Sequence, residues 1–246
     1  MMKTLPLTIL LVFFSMLTAC ATNDGTTDTF TTPGGKEVVI TAIKHASLRI
    51  SYDGKEIEID PVTKVGQETD YSKMPKADYI LVTHEHGDHL DGMALTQLEK
   101  EGTVIVANAN SAKILGKGRV MHNGDTLVLA DDILIEAVPA YNITPGHTQY
   151  HPKGRDNGYV LSLGGLRIYI AGDTEDIEEM NKLKHIDIAF LPTNQPYTMT
   201  PEQTAKAARI IKPKVLFPYH YSDTPIGRVV ELLKGSGIDV RIRNYQ

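Results

Sequence analysis

The chain has 246 residues, 41% of them hydrophobic, a formal net charge of −5 and one cysteine. That is enough chain and apolar content for one large domain or two small ones with a buried core. The acidic balance, with no Lys/Arg block or aromatic-basic stripe, argues against nucleic acid as a partner; a lone cysteine excludes an intramolecular disulfide.

Residues 1–19 carry Lys3 followed by the apolar run LPLTILLVFFSML (5–17). This run is shorter than the ~20 residues that span a bilayer. LTAC (17–20) sets small residues before Cys20. The pattern resembles a bacterial lipoprotein signal, cleaved before Cys20 with acylation of its thiol. It implies a protein of the cell envelope, lipid-anchored to a bacterial membrane. An ordinary signal peptide or a retained N-terminal anchor is the alternative. Residues 20–35 are rich in Thr, Asp and Gly and read as the lipidated cysteine and a flexible tether. The folded domain is then expected over 36–246.

From there, strand-length runs with β-branched content follow one another. EVVITAI (37–43), SLRISYD (47–53) and KEIEID (55–60) come first, with YDGK (52–55) as a hairpin turn. YILVT (79–83), TVIVA (103–107), TLVLA (126–130), ILIEAV (133–138), YVLSL (159–163), LRIYIA (166–171), DIAFLP (187–192), KVLFP (214–218) and DVRIR (239–243) continue the series. Helices are expected in DGMALTQLEKEG after the first cluster of histidines and in DIEEMNKLK after AGDT. A third, TPEQTAKAARIIK, has Thr200 as N-cap, Pro201 at the first position and Gln203 completing a capping box. A fourth, PIGRVVELLKGSG, should stop at a glycine. Strands first, then strands mixed with helices, predict a layered α/β domain with a mixed sheet or two sheets.

One loop concentrates the chemistry. ILVTHEHGDHLDG (80–92) places three of the nine histidines and an aspartate within His84, His86, Asp88 and His89. The run before it is a buried-type strand, so these side chains leave its C-terminal end. Alternation points His84 and His86 the same way, and Gly87 lets the chain fold Asp88 and His89 back. Neutral imidazoles with a carboxylate suit zinc, and also manganese or iron.

THEHGDH resembles the H-x-H-x-D-H signature of the metallo-β-lactamase superfamily. The resemblance implies a four-layer αββα sandwich of two mixed β-sheets flanked by helices, with two divalent metal ions, zinc foremost, at one edge. It assigns His84 and His86 to the first metal, and Asp88 and His89 to the second. YIAGDT (169–174) puts Asp173 where the family has a bridging carboxylate, and VLFPYHY (215–221) puts His220 where it has the last ligand of the second metal. Asp60, ending IEIDP (57–61), would orient the ligand loop from behind. The AYN…HPKG…GYV…AGDT…PYTMTPEQ pattern is similar to a branch that includes ascorbate-phosphate lactonases and N-acyl-phosphatidylethanolamine phospholipases D. What this implies is a hydrolase that uses a metal-bound hydroxide on an ester, lactone, amide or phosphodiester, with Asp88 also able to take up a proton. A non-catalytic or metal-free binding module that keeps the fold is the alternative.

The chain departs from the family at the third ligand of the first metal. VPAYN (138–142) has Asn142 where relatives carry histidine. His151, just before the return strand, is the favoured replacement, with His147 or no histidine from this loop as alternatives. Asn142 then becomes a weak ligand or a substrate contact. Asn194, Gln195 and Tyr197 are further substrate candidates, unless their loop only caps the Thr200 helix. His45, in KHASLRI (44–50), is either a buried hydrogen-bonded histidine or a residue at the site's edge. His122, His185, Lys153 and Arg155 read as surface positions. The expected partners are a small-molecule or lipid substrate and the membrane.

Overall fold

Alternation of side chains divides the strands between two environments. In the strand Tyr79–Val82, Tyr79 and Leu81 join a large core cluster, while Ile80 and Val82 join a smaller one with Leu95 and Leu98. A strand buried on both faces must have a layer on each side, and the computed structural model, which describes residues 26–245, supplies them.

Two seven-stranded sheets share the large core. The first runs β1 (Thr27–Thr31), β2 (Glu37–Lys44), β3 (Ser47–Tyr52), β4 (Lys55–Ile59), β5 (Tyr79–Val82), β6 (Val104–Ala107) and β7 (Arg119–Val120) in sequence order. The second consists of β8 (Thr126–Ala130), β9 (Ile133–Ala140), β10 (Asp156–Leu163), β11 (Leu166–Ile170), β12 (Ile188–Pro192), β13 (Val215–Tyr219) and β14 (Asp239–Val240), also in order. Each sheet begins as an antiparallel meander and ends in parallel strands, from β4 to β7 and from β11 to β14. Helices α1 (Gly92–Leu98) and α2 (Ala109–Leu115) cover the first sheet, while α3 (Pro201–Ile211) and α4 (Gly227–Leu232) belong to the second. This is the expected four-layer sandwich. Parallel strands align their C-terminal ends, so the loops after β4, β5, β11 and β13 emerge together at one edge.

Five local expectations are corrected. The tether predicted over 20–35 gives way at Thr27 to strand β1, paired residue by residue with β2. Threonine signals a linker by polarity but is β-branched and favours a strand; Phe30 anchors it edge-on against Phe217 at 6.3 Å. DIEEMNKLK forms only a 3-10 turn, Glu178–Lys182, with no side-chain cap at its start. Helix α2 was not expected; its signals are Asn108, whose side chain accepts from the Ser111 amide, and Gly116 in the left-handed conformation beyond its end. DVRIR shortens to two strand residues, because Arg241 and Arg243 turn back onto Asp28. Helix α4 ends at Leu232 with Leu233 at its cap, short of the glycine expected to stop it. Two further signals hold: Asp53 and Gly54 both take positive φ in the YDGK turn, and Thr200 and Gln203 form the reciprocal capping box of α3. The first 25 residues, including Cys20 and the proposed signal, lie outside the described residues. No helix among the described residues is long and apolar enough to cross a membrane.

Candidate metal centre

Asp60 ends β4, and Thr83 ends β5 beside it. The Asp60 carboxylate is fully buried and accepts from the Thr83 amide at 2.8 Å and the Thr83 hydroxyl at 2.7 Å. It also lies 2.9 Å from His89 Nδ1. A carboxylate only accepts, so His89 carries its proton on Nδ1 and turns Nε2 away. The Thr83 hydroxyl has spent its proton on Asp60, so it accepts from His84 Nδ1 at 3.0 Å. His84 Nε2 is then likewise left as an electron pair. One buried aspartate and one threonine thus set the tautomers of two histidines.

The second sheet brings the rest. Asp173 follows Gly172, whose φ is +63° and where a Cβ would stand 2.8 Å from the Asn157 carbonyl oxygen. Only glycine takes that turn at that approach without displacement. The Gly172 amide donates to the Tyr219 hydroxyl at 3.0 Å, which fixes the turn against β13. Asp173 Oδ2 lies 3.3 Å from both His151 Nε2 and His220 Nε2, and Oδ1 lies 3.3 Å from His89 Nε2. Asp88 Oδ2 lies 3.5 Å from His220 Nε2 and 3.9 Å from His89 Nε2.

Two sets of donors result. His84, His86 and His151 converge, with ring centroids 4.6–4.9 Å apart. His45, Asp88, His89 and His220 form the other set, with a ligand atom of each within 4.8 Å of the others. Asp173 reaches both. The loop from 142 to 151 therefore brings His151 into the cluster, while His147 faces Glu175 at 3.5 Å. His151 is held there twice. Its carbonyl accepts from the Asn142 amide at 2.8 Å, and Nδ1 donates to buried Asp156 at 2.9 Å. Arg155 grips that same carboxylate through Nε at 2.7 Å.

Buried polar atoms with no partner are uncommon and ask for a cause. Nε2 of His84, His89 and His220 and Oδ1 of Asp173 are all buried without a hydrogen-bond partner among the described residues. They point into one space where acceptor faces acceptor, a donor set that a cation fits. Electrostatics divide the imidazoles: burial opposes a charge on His89, but Asp173 and Asp60 overcome it and raise its pKa well above the ordinary histidine value. Burial, then the neighbouring imidazoles, hold the pKa of His84 well below the ordinary histidine value and that of His86 below it. Burial opposes ionisation of Asp173 and Asp88, yet the surrounding histidines keep both carboxyls well below the usual carboxylate range. Burial also opposes a charge on His151, but Asp156 and Asp173 outweigh it and push the pKa up to about 9.

The substrate candidates are placed differently from one another. Asn142 is buried and spends its amide on the Tyr197 carbonyl at 2.7 Å, tying two loops together. Gln195 donates to the Thr198 carbonyl at 2.6 Å and to Gln203 at 3.2 Å, which makes it part of the cap of α3. Asn194 contacts Ser222 at 3.3 Å. Tyr197 is 45% exposed and packs edge-on against Tyr150. Lys153 pairs with Glu179, and Arg155 is half-buried against Asp156 rather than free. Glu85 turns to Asn108 and Asn110. His122 and His185 are exposed, as expected. Sequence reasoning missed Asp156 and Glu175. The signal for Asp156 is a charged residue opening a strand that runs on into YVLSL. Glu175 is fully buried and accepts from the amides of Ile143 and Thr144 at 2.7 Å, bracing the loop that carries His151.

Two mixed sheets with a His/Asp cluster at the C-terminal ends of their parallel strands define a metallo-β-lactamase-type fold. The family described as Beta-lactamase superfamily domain matches residues 39–220. A UPF0173 metal-dependent hydrolase of Thermococcus onnurineus is 36% identical over 200 residues, 76% of this chain and 86% of its own. A crystal structure described as a metal-dependent hydrolase of Parabacteroides distasonis is 60% identical, with a TM-score of 0.87 over 89% of this chain and 99% of that one. Igni18, a metallo hydrolase of Ignicoccus hospitalis, is 26% identical with a TM-score of 0.71 over 84% and 95% of the two chains. The chain belongs to the metallo-β-lactamase superfamily, among its metal-dependent hydrolases.

Proposed function

We propose that this protein hydrolyses an ester, lactone, amide or phosphodiester with two divalent cations, zinc foremost and manganese or iron next. His84, His86 and His151 would hold the first; Asp88, His89 and His220 the second; and Asp173 both. The observation that carries this is Asp173, whose two oxygens lie within 3.3 Å of Nε2 atoms from both sets. A pair of such cations supplies an activated water and an electrophile at neutral pH. The protein's share is to fix the donors. Asp60 and Thr83 set the tautomers of His89 and His84, and Asp156 does the same for His151. Asp88 is 39% exposed at its side chain against 3% for Asp173, so it is the carboxylate a substrate can reach and the residue placed to take up a proton.

Metal analysis of the purified chain, combined with a panel of chromogenic esters, lactones, amides and phosphodiesters, tests the reading. The expected result is two metals per chain and turnover of one class, both reduced in His84→Ala. Metal binding without turnover of any class would instead favour a binding module that keeps the fold.

Attachment to a bacterial membrane through an acylated Cys20 is the second part of the proposal. Cys20 stands six positions before Thr26, ~20 Å of chain at most. The Thr26 carbonyl accepts from the Ala42 amide at 2.7 Å, and β2 runs on from there toward His45 and the metal edge. An anchor at that point favours a lipid or other amphiphile as substrate. Incorporation of labelled fatty acid, lost in Cys20→Ala, is the expected outcome; a wild-type chain that takes no label sinks the idea.

A further inference from the structure

The anchors described so far account for His84, His89 and His151. They leave His86, the half-buried Asp88, and His220, whose Nδ1 is buried without a partner among the described residues. One residue outside the assigned donors meets the last two. His45 lies in the turn between β2 and β3, with its side chain 10% exposed and its Nε2 3.1 Å from Asp88 Oδ2 in hydrogen-bonding alignment. Its ring centroid is 3.8 Å from that of His220. Its carbonyl accepts from the His220 amide at 3.0 Å.

The backbone is bent to put it there. His45 has φ +46° and His220 has φ +47°, a left-handed conformation uncommon for non-glycine residues. Such strain persists where the surroundings over-determine it, and it concentrates at functional sites. Here the His45 amide donates to the Tyr245 carbonyl at 2.5 Å, and buried Lys44 beside it donates to the Thr63 carbonyl at 3.1 Å. An extended backbone at residue 45 would carry the imidazole away from Asp88 and remove the carbonyl that His220 uses.

We propose that His45 is a positioning residue for the second set of donors. Its Nε2–H holds the Asp88 carboxylate in place for the cation, while its carbonyl and ring seat His220. The inference rests on the two-cation reading and adds a residue to it. A partner that orients a metal-binding carboxylate or imidazole typically governs 10–100-fold in affinity.

The test is stepwise zinc binding by chelator competition on the metal-free full chain, with the unfolding midpoint of the metal-free chain measured alongside. His45→Asn tolerates the left-handed backbone but is too short to reach Asp88. His45→Gln keeps an N–H donor at about the right reach. The expected result is that His45→Asn weakens the second zinc about 10–100-fold, leaves the first within about twofold, and keeps the metal-free midpoint. His45→Gln should recover part of the loss. The proposal is overturned if His45→Asn binds both zincs as wild type does, or if His45→Gln keeps the metal-free midpoint and still loses as much as His45→Asn. It is also overturned if both zincs weaken together with the metal-free midpoint, which is what a purely structural histidine would do. A wild-type chain that binds fewer than two zincs removes the two-cation reading itself, and this shows before any variant is compared.

Discussion

At the scale of single residues, the centre depends on acceptors that never touch a cation. Asp156 shows how. It is fully buried, it accepts from His151 Nδ1 at 2.9 Å, and Arg155 holds it in turn. Asp156→Ala removes what fixes the His151 tautomer, so affinity at the first position should fall about 10–100-fold while the second position is spared. Zinc competition titrations resolve the two; equal loss at both would mean that Asp156 acts on the fold rather than on His151. The candidate donors were legible through the resemblance of THEHGDH to the family signature, which gave meaning to polar residues at the ends of apolar runs: His84 after YILVT, Asp173 one glycine after LRIYIA, His220 after VLFPY. Asp156 and His45 were not assigned, because nothing local distinguishes a residue that orients a donor from a satisfied buried one. That distinction depends on which loop of the other strands arrives beside it. His151 lay between these cases. Its place follows from β10 pairing with β9 so that Asp156 stands opposite Ala140, which returns the loop to where it began.

Among the elements, local signals were readable wherever a side chain bonds its own neighbourhood. The capping box of α3 is one: Thr200 accepts from the Gln203 amide at 3.1 Å and the Gln203 side chain accepts from the Thr200 amide at 2.8 Å. Thr200→Ala should cost about 1 kcal/mol in urea denaturation and leave zinc binding unchanged, since α3 contributes no donor. Strand β1 and the 3-10 turn Glu178–Lys182 went unread because tertiary contacts decide them. The pair of β3 with β4 makes a sharper prediction. Glu58 is fully buried opposite Arg49, with one oxygen bonded to Arg49 Nε and the other without a partner among the described residues. Burial pushes its pKa up to about 7 from the usual 4.5, in spite of Arg49. Between those values the folded chain keeps a proton that the unfolded chain has released. The stabilisation is therefore fully present below 4.5 and lost as the pH rises through about 7. Urea midpoints of the metal-free protein should drop from about pH 5 to about pH 8, and Glu58→Gln should flatten that drop. A wild-type curve already flat across this window would show that Glu58 titrates normally.

For the molecule as a whole, the described chain begins and ends against itself. Asp28 on β1 accepts from Arg241 Nη1 at 2.8 Å and from Arg243 Nε and Nη2 at 2.7 Å each. The two arginines stack on Phe30 and Phe217, with guanidinium carbons 5.3 and 5.6 Å from the ring centroids. This cluster joins β1 of the first sheet to the last residues of the second. It also bears on the centre, because Tyr245, two residues beyond Arg243, gives its carbonyl to the His45 amide. Asp28 is buried, whereas Arg241 and Arg243 keep 31% and 16% of their side chains exposed. Removing the carboxylate thus leaves two cations that can partly rehydrate. Asp28→Ala should cost about 3 kcal/mol, the low end for breaking a buried ion pair. It should also loosen the second zinc more than the first, because the strain at His45 loses one of its supports. Denaturation of the metal-free chain measures the first effect, and competition titration the second. A stability loss with both zincs unchanged would show that the closure of the chain ends serves the sandwich alone; a loss confined to the second zinc would tie it to the metal edge.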